Sequence, residues 1–105
     1  MTAGESEINE NLIVNRVERR VHIRKEGTWT SVKLTPIEYG LLECLLASKN
    51  QILTRKDLIG RVWSPGSDIS NRVVDTHVCT LRRKLGPIGR DLRTIFNEGY
   101  VLVAS

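Results

Sequence analysis

Apolar and polar positions along the chain follow three successive patterns. Over residues 11–34 short runs alternate, NLIV, RVHIR and TWTSVKL, with Lys25-Glu26-Gly27 as a turn between the last two. This period of two predicts a small antiparallel sheet. In the second run Val21 and Ile23 face one way, and His22 and Arg24 the other. At Thr35 the period becomes helical. Thr35-Pro36-Ile37-Glu38 joins a capping box to a proline at the first helical position, and Leu34 and Tyr39 are spaced for a hydrophobic staple. Ile37, Leu41, Cys44 and Leu45 then mark one face, widened by Leu42 and Leu46, so a largely buried helix is expected as far as Ser48-Lys49-Asn50.

A second cap follows at Thr54-Arg55-Lys56-Asp57, with Leu53 and Leu58 as its staple. Leu58, Ile59, Val62 and Trp63 give a short amphipathic helix that Ser64-Pro65-Gly66-Ser67 breaks. A third helix begins near residues 68–71, capped by Asp68 or Ser70, and stops at Gly86-Pro87. After a loop, GPIGRD, residues 92–96 and 100–103 read as two strands around Asn97-Glu98-Gly99. Residues 1–10, MTAGESEINE, have little to bury and read as a disordered acidic tail, leaving residues 11–105 as one domain.

The third helix carries the chemistry. Val74, Val78, Leu81 and Leu85 fall within about 60° of one another on a helical wheel and form a buried stripe. Arg72, Thr76, Cys79 and Arg83 lie on the opposite side, with Asp75, Thr80 and Arg82 flanking them. An outward face of small, polar and basic groups suits the DNA major groove, which is wide enough to admit a helix. An ordinary solvated helix face would look the same from charge alone. The order of elements favours DNA: a short helix, a turn, a basic amphipathic helix and a hairpin make a winged helix-turn-helix arrangement.

Charge agrees with a polyanion as partner. The net charge is +4, but Glu5, Glu7 and Glu10 sit ahead of the first basic residue, so the remaining chain holds 16 basic against nine acidic groups. Other chemistries find no support. No stretch approaches the roughly 20 apolar residues of a membrane helix, and no secretory signal is present. Cys44 and Cys79 read as reduced cytosolic thiols, Cys44 on the apolar face of its helix. Two Cys and two His without close pairs make no metal site, with His77 on the shoulder of the core stripe and His22 on a strand face. No nucleophile elbow or glycine-rich phosphate loop appears, so neither an enzyme nor a cofactor is expected.

The stretches LTPIEYGLLECLLASKNQILTRKDLIGRVW and NRVVDTHVCTLRRKL, with the T-x-x-x-x-G-Y hairpin from Thr94 to Tyr100, resemble the OmpR/PhoB-type winged helix-turn-helix domain of bacterial response regulators. The resemblance implies an α+β fold with an N-terminal antiparallel sheet of four strands, three helices and a C-terminal β-hairpin wing. It implies that Asp75, Thr76, Cys79 and Thr80 face bases. It assigns phosphate contacts to Trp63, Arg72, His77, Arg82, Arg83 and Thr94, and the wing to Phe96, Asn97, Gly99 and Tyr100. The loop Ser64, Pro65, Gly66, Ser67, Asp68 and Ile69 matches the one such regulators use on RNA polymerase. Phe96-Asn97 stands where the family usually has Arg-Gly, and Cys79 and Thr80 stand where longer polar or basic residues are common. No receiver domain is recognisable in these residues, so phosphorylation-driven dimerisation is not expected within them.

The resulting expectation is a cytoplasmic transcription regulator that binds double-stranded DNA sequence-specifically, helped by a second copy on repeated half-sites. The alternative is a winged-helix protein-interaction module, an antagonist or adaptor of RNA polymerase or another regulator, for which the exposed Phe96 would be the contact.

Overall fold

The alternating runs form a sheet in which residues 12–15 and 20–25 turn apolar side chains to the helices, while residues 28–33 stay mostly exposed. The computed structural model describes residues 4–104. Its first four strands are β1 (Glu5–Asn9), β2 (Leu12–Asn15), β3 (Arg20–Lys25) and β4 (Thr28–Lys33), paired antiparallel in that order. Leu12, Val14, Val21 and Ile23 are buried against the helices. β3 and β4 pair with Lys25 opposite Thr28, leaving Glu26-Gly27 as a two-residue hairpin loop. Both loop residues have positive φ, +52° and +80°, the geometry that matches strand twist.

β1 corrects the expectation of a disordered start. Glu5 to Asn9 pair with β2, and Ile8 packs against the core. The acidic composition is compatible with this because an edge strand is held by backbone ladder bonds, which do not depend on side-chain polarity. Side chains add to it: the Arg16 guanidinium donates to Ser6 Oγ at 2.6 Å, and His22 lies 3.3 Å from Glu5. Met1 to Ala3 and Ser105 lie outside the described residues.

The helices are α1 (Pro36–Ala47), α2 (Arg55–Val62) and α3 (Asn71–Lys84). Both capping boxes form as the sequence predicts: Thr35 Oγ1 accepts from the Glu38 N–H at 3.2 Å, Thr54 Oγ1 from the Asp57 N–H at 3.0 Å, and each carboxylate reaches back to its cap N–H. Ser70, rather than Asp68, caps α3. The α1 wheel turns by part of a step from the expected one. Leu41, Leu42 and Leu45 are fully buried with Glu38 and Tyr39, while Ile37 and Cys44 are half-buried at the side of the core. Hydrophobic periodicity misplaces the face because it treats Glu38 as a solvent residue. Desolvation is the main influence on Cys44 and raises its thiol pKa, consistent with a packing role.

After α3 the GPIGRD segment winds into a short 3-10 helix, Gly86–Asp91, where a loop was expected. It presses so close to α3 that a Cβ on Gly89 would lie 2.2 Å from the Arg82 carbonyl oxygen. The hairpin wing then runs through β5 (Leu92–Ile95) and β6 (Gly99–Leu102). Residues 96–98 form its tip, with Asn97 at φ +59°. β6 is stitched to the α1–α2 connection, since Leu53 and Tyr100 exchange backbone hydrogen bonds of 2.8 and 2.9 Å and the Asn50 N–H donates to Leu102 at 2.9 Å.

Gly99 makes that stitch possible. Its φ is +149°, and a Cβ there would lie 2.1 Å from the Leu53 carbonyl oxygen. Gly99→Ala is therefore expected to destabilise the domain by about 1–3 kcal/mol, read as a lower urea midpoint.

Candidate nucleic-acid interface

α3 presents its outward face because its inward one is fully engaged. Val74, Val78, Leu81 and Leu85 have no exposed surface. This turns Arg72, Thr76, Cys79 and Arg83 outward, exposed in one row, as the wheel predicts. The guanidinium groups of Arg72 and Arg83 make no hydrogen bond or ion pair among the described residues, so both are available to an anion. Arg82, Arg83 and Lys84 also complement the negative end of the helix dipole.

Three polar links pin α3 to the rest of the domain. Asp75 Oδ1 accepts from Arg55 Nε at 2.7 Å and from the Tyr100 hydroxyl at 2.5 Å, while the Arg55 guanidinium sits 5.4 Å from the centre of the Tyr100 ring. α2, α3 and β6 thus meet at one carboxylate. Burial pushes the Asp75 carboxyl up, but the hydrogen bonds from Arg55 and Tyr100 and the Arg55 charge outweigh it and hold its pKa below 3.8. The Tyr100 phenol moves the other way, pushed up to about 12 by burial and by its bond to Asp75.

The second link is Arg82, whose Nε donates to the Leu92 carbonyl at 2.9 Å and whose Nη2 donates to Thr94 Oγ1 at 3.1 Å. This ties the end of α3 to the wing. The third is Lys84, which donates to Glu38 Oε1 at 2.7 Å and joins α3 to the N-terminus of α1. Glu38 is only 2% exposed. Burial raises its carboxyl, and the bonds from Lys84 and the Thr35 cap more than reverse this, holding it below 4.5.

These links change what several expected site residues contribute. Asp75, expected among the base-facing residues, has Oδ1 committed to α2 and the wing, while its side chain stays 42% exposed. Arg82 and Thr94 were both placed on phosphate. They bond each other first, leaving Arg82 Nη1 and the Thr94 hydroxyl proton free to point outward. Tyr100, expected as a wing residue, is buried at the wing base, and Gly99 is buried with it. Phe96 and Asn97 form the exposed tip. Trp63, the C-cap of α2, and His77 are half-buried neighbours with ring centres 5.8 Å apart. The 64–69 loop is exposed apart from Ile69, which packs towards the core. Arg55, Glu38 and Lys84 carry positioning roles that sequence reasoning missed, because each partner lies far away in the chain.

Among the described residues no group of three or more His, Cys, Asp or Glu could hold a metal ion, and both cysteines are free. No helix there is long and apolar enough to cross a membrane.

Residues 29–102 match the family model described as "Transcriptional regulatory protein, C terminal". The chain belongs to that family. It is 37% identical over 73 residues to the response regulator ArlR of Staphylococcus aureus, a match covering 68% of this chain and 33% of ArlR, so the chain spans about a third of the length of such curated relatives. Among solved structures it is similar to the DNA-binding domain of the response regulator AdeR in complex with an intercistronic region, with TM-score 0.79 and 27% identity over 94% of this chain and 100% of that one. It is also similar to the DNA-binding domain of Bacillus subtilis CssR, with TM-score 0.77 and 28% identity over 88% and 99% of the two chains. The sheet, three helices and hairpin are thus the winged helix-turn-helix arrangement of this family.

Two outcomes follow from the pinned helix. Asp75→Ala should cost about 1–2 kcal/mol, since its charge-assisted bonds are partly screened by solvent, and should lower the thermal midpoint by several degrees in a circular-dichroism melt. Glu38 supplies a pH signature. A carboxylate with a depressed folded pKa stabilises fully above its unfolded value and loses that contribution as pH falls through the folded one. Glu38→Gln should therefore be less stable than wild type at pH 7, with the gap closing below the ordinary value of 4.5 when urea melts are compared across pH.

Proposed function

We propose that this domain binds double-stranded DNA sequence-specifically as the effector part of a bacterial transcription regulator, acting in the cytoplasm with no catalytic step. The observation that carries the reading is the outward face of α3. Arg72 and Arg83 stand unpaired at its two ends, and Thr76, Cys79 and Thr80 lie between them on a helix locked by three polar links. Such a helix can enter the major groove with its small residues close to base edges and its arginines on flanking phosphates. The DNA-bound state of the similar AdeR domain supports the same reading.

The wing enters this proposal as a second contact. Arg82 and Thr94 join it to α3, so helix and hairpin reach the duplex as one body, with the Thr94 hydroxyl proton directed to phosphate. Trp63 and His77 form the corresponding edge at the other side of the helix-turn-helix. The exposed 64–69 loop is then left for RNA polymerase, and a second copy on a repeated half-site raises affinity beyond that of one small module. Phe96, 85% exposed at the wing tip, also favours a second reading in which the wing docks on a protein. Complete absence of gel retardation with genomic fragments at low salt would favour that one.

If several phosphates are neutralised, log affinity should fall linearly with log salt, by roughly 0.9 per phosphate contact. Arg83→Ala should weaken binding to all sequences and flatten that slope by about one contact, whereas Thr76→Ala should shift the sequence preference. Fluorescence anisotropy across a salt series reads both. Equal binding by wild type and the two variants would remove α3 from the interface.

A further inference from the structure

We infer that the central face of α3 reads thymine methyl groups, with Thr76, Cys79 and Thr80 as the specificity-determining residues, so that the preferred half-site places A·T pairs under the middle of the helix. This rests on the DNA-binding reading above. The first observation concerns length. Guanine is read by forked Arg or Lys donors and adenine by the amide of Asn or Gln. No such side chain projects between the two end turns of the outward row, and Arg82, in the last turn beside Arg83, is drawn to the wing through Nε and Nη2. Arg72 lies in the first turn and Arg83 in the last, about 16 Å apart along the axis, a span that suits phosphates on either side of the groove.

The second observation concerns protons. Thr76 Oγ1 donates to the Arg72 carbonyl at 3.0 Å, and Thr80 Oγ1 donates to the Thr76 carbonyl at 3.2 Å. Each hydroxyl proton is therefore engaged within the helix itself. What remains for a base is a γ-methyl and an oxygen that only accepts. The acceptor edge of guanine, N7 and O6, finds no donor on such a surface. An A·T pair offers the matching set, a methyl on thymine and an amino group on adenine, on one major-groove edge.

The third observation is that the neighbouring exposed atoms are also weakly polar. Cys79 is a free exposed thiol, and Val73, 37% exposed, flanks the same face. Asp75, the one carboxylate nearby, has Oδ1 tied to Arg55 and Tyr100, and its side chain stays 42% exposed at the flank of the row. Short side chains between the two arginines let the backbone approach closely enough for methyl contacts.

The test uses the intact chain. Bound duplexes are first selected from a random pool at low salt, and the preferred duplex is then remade with deoxyuridine at one thymine at a time. Deoxyuridine keeps the pairing and O4 and removes only the methyl. At two or more central positions the loss should be about fourfold per methyl. Thr76→Ser should erase the thymine-over-uracil preference at one position, while Thr76→Val should keep it, with helix content checked by circular dichroism for each. A selected site with guanine at the centre, or uracil tolerated throughout, overturns the inference while leaving DNA binding intact. Preference lost in Thr76→Val but kept in Thr76→Ser overturns it in favour of hydroxyl readout. Failure to retain any duplex from the pool overturns DNA binding itself, and with it this inference.

Discussion

The carboxylate of Asp75 joins three elements that the chain keeps apart: α2 through Arg55, α3 through its own backbone, and β6 through Tyr100. Burial works against the ionised carboxylate, and the bonds from both donors outweigh it. Those bonds orient α3 and the base of the wing together. The close contact of Gly99 with Leu53 supports it from below, placing Tyr100 where its hydroxyl can reach Asp75.

Lys84 with Glu38, and Arg82 with Leu92 and Thr94, repeat the device at the far end of the helix. Each pairs a group on α3 with an element on a different side of the domain. The apolar stripe supplies most of the burial, but by itself an apolar stripe tolerates small rotations and slides. Polar links with directional bonds remove that freedom. Among the described residues no buried side-chain polar atom lacks a partner, so this order carries no unsatisfied group. The outward row of α3 gains a fixed orientation as a result, which the proposed reading of base edges requires.

Local chemistry made much of the fold legible. Both capping boxes, and the stripe of Val74, Val78, Leu81 and Leu85, depend on residues within one short segment and formed as read, and the turn read at Lys25-Glu26-Gly27 formed with Lys25 still in its strand. The misreadings share the opposite property. β1 depends on β2 for its hydrogen bonds, so its acidic composition concealed it. The α1 face was misplaced because Glu38 is buried, its carboxylate satisfied by the Thr35 cap and by Lys84, 46 positions later. The 3-10 turn after α3 depends on the close approach of Gly89 to Arg82.

The candidate site divides along the same line. The sequence alone determined which residues α3 turns outward, because a helix's period and its apolar stripe are properties of one segment. It also determined that this outward face would be small in the middle and basic at the ends. Only the tertiary structure decided which of those polar groups remain free. Asp75, Arg82 and Lys84 are drawn into links with Arg55, Tyr100, Leu92, Thr94 and Glu38, whereas Arg72 and Arg83 are left open. The reason is that a charge is satisfied by whatever partner folding brings within about 3 Å, and no local pattern records where that partner lies in the chain.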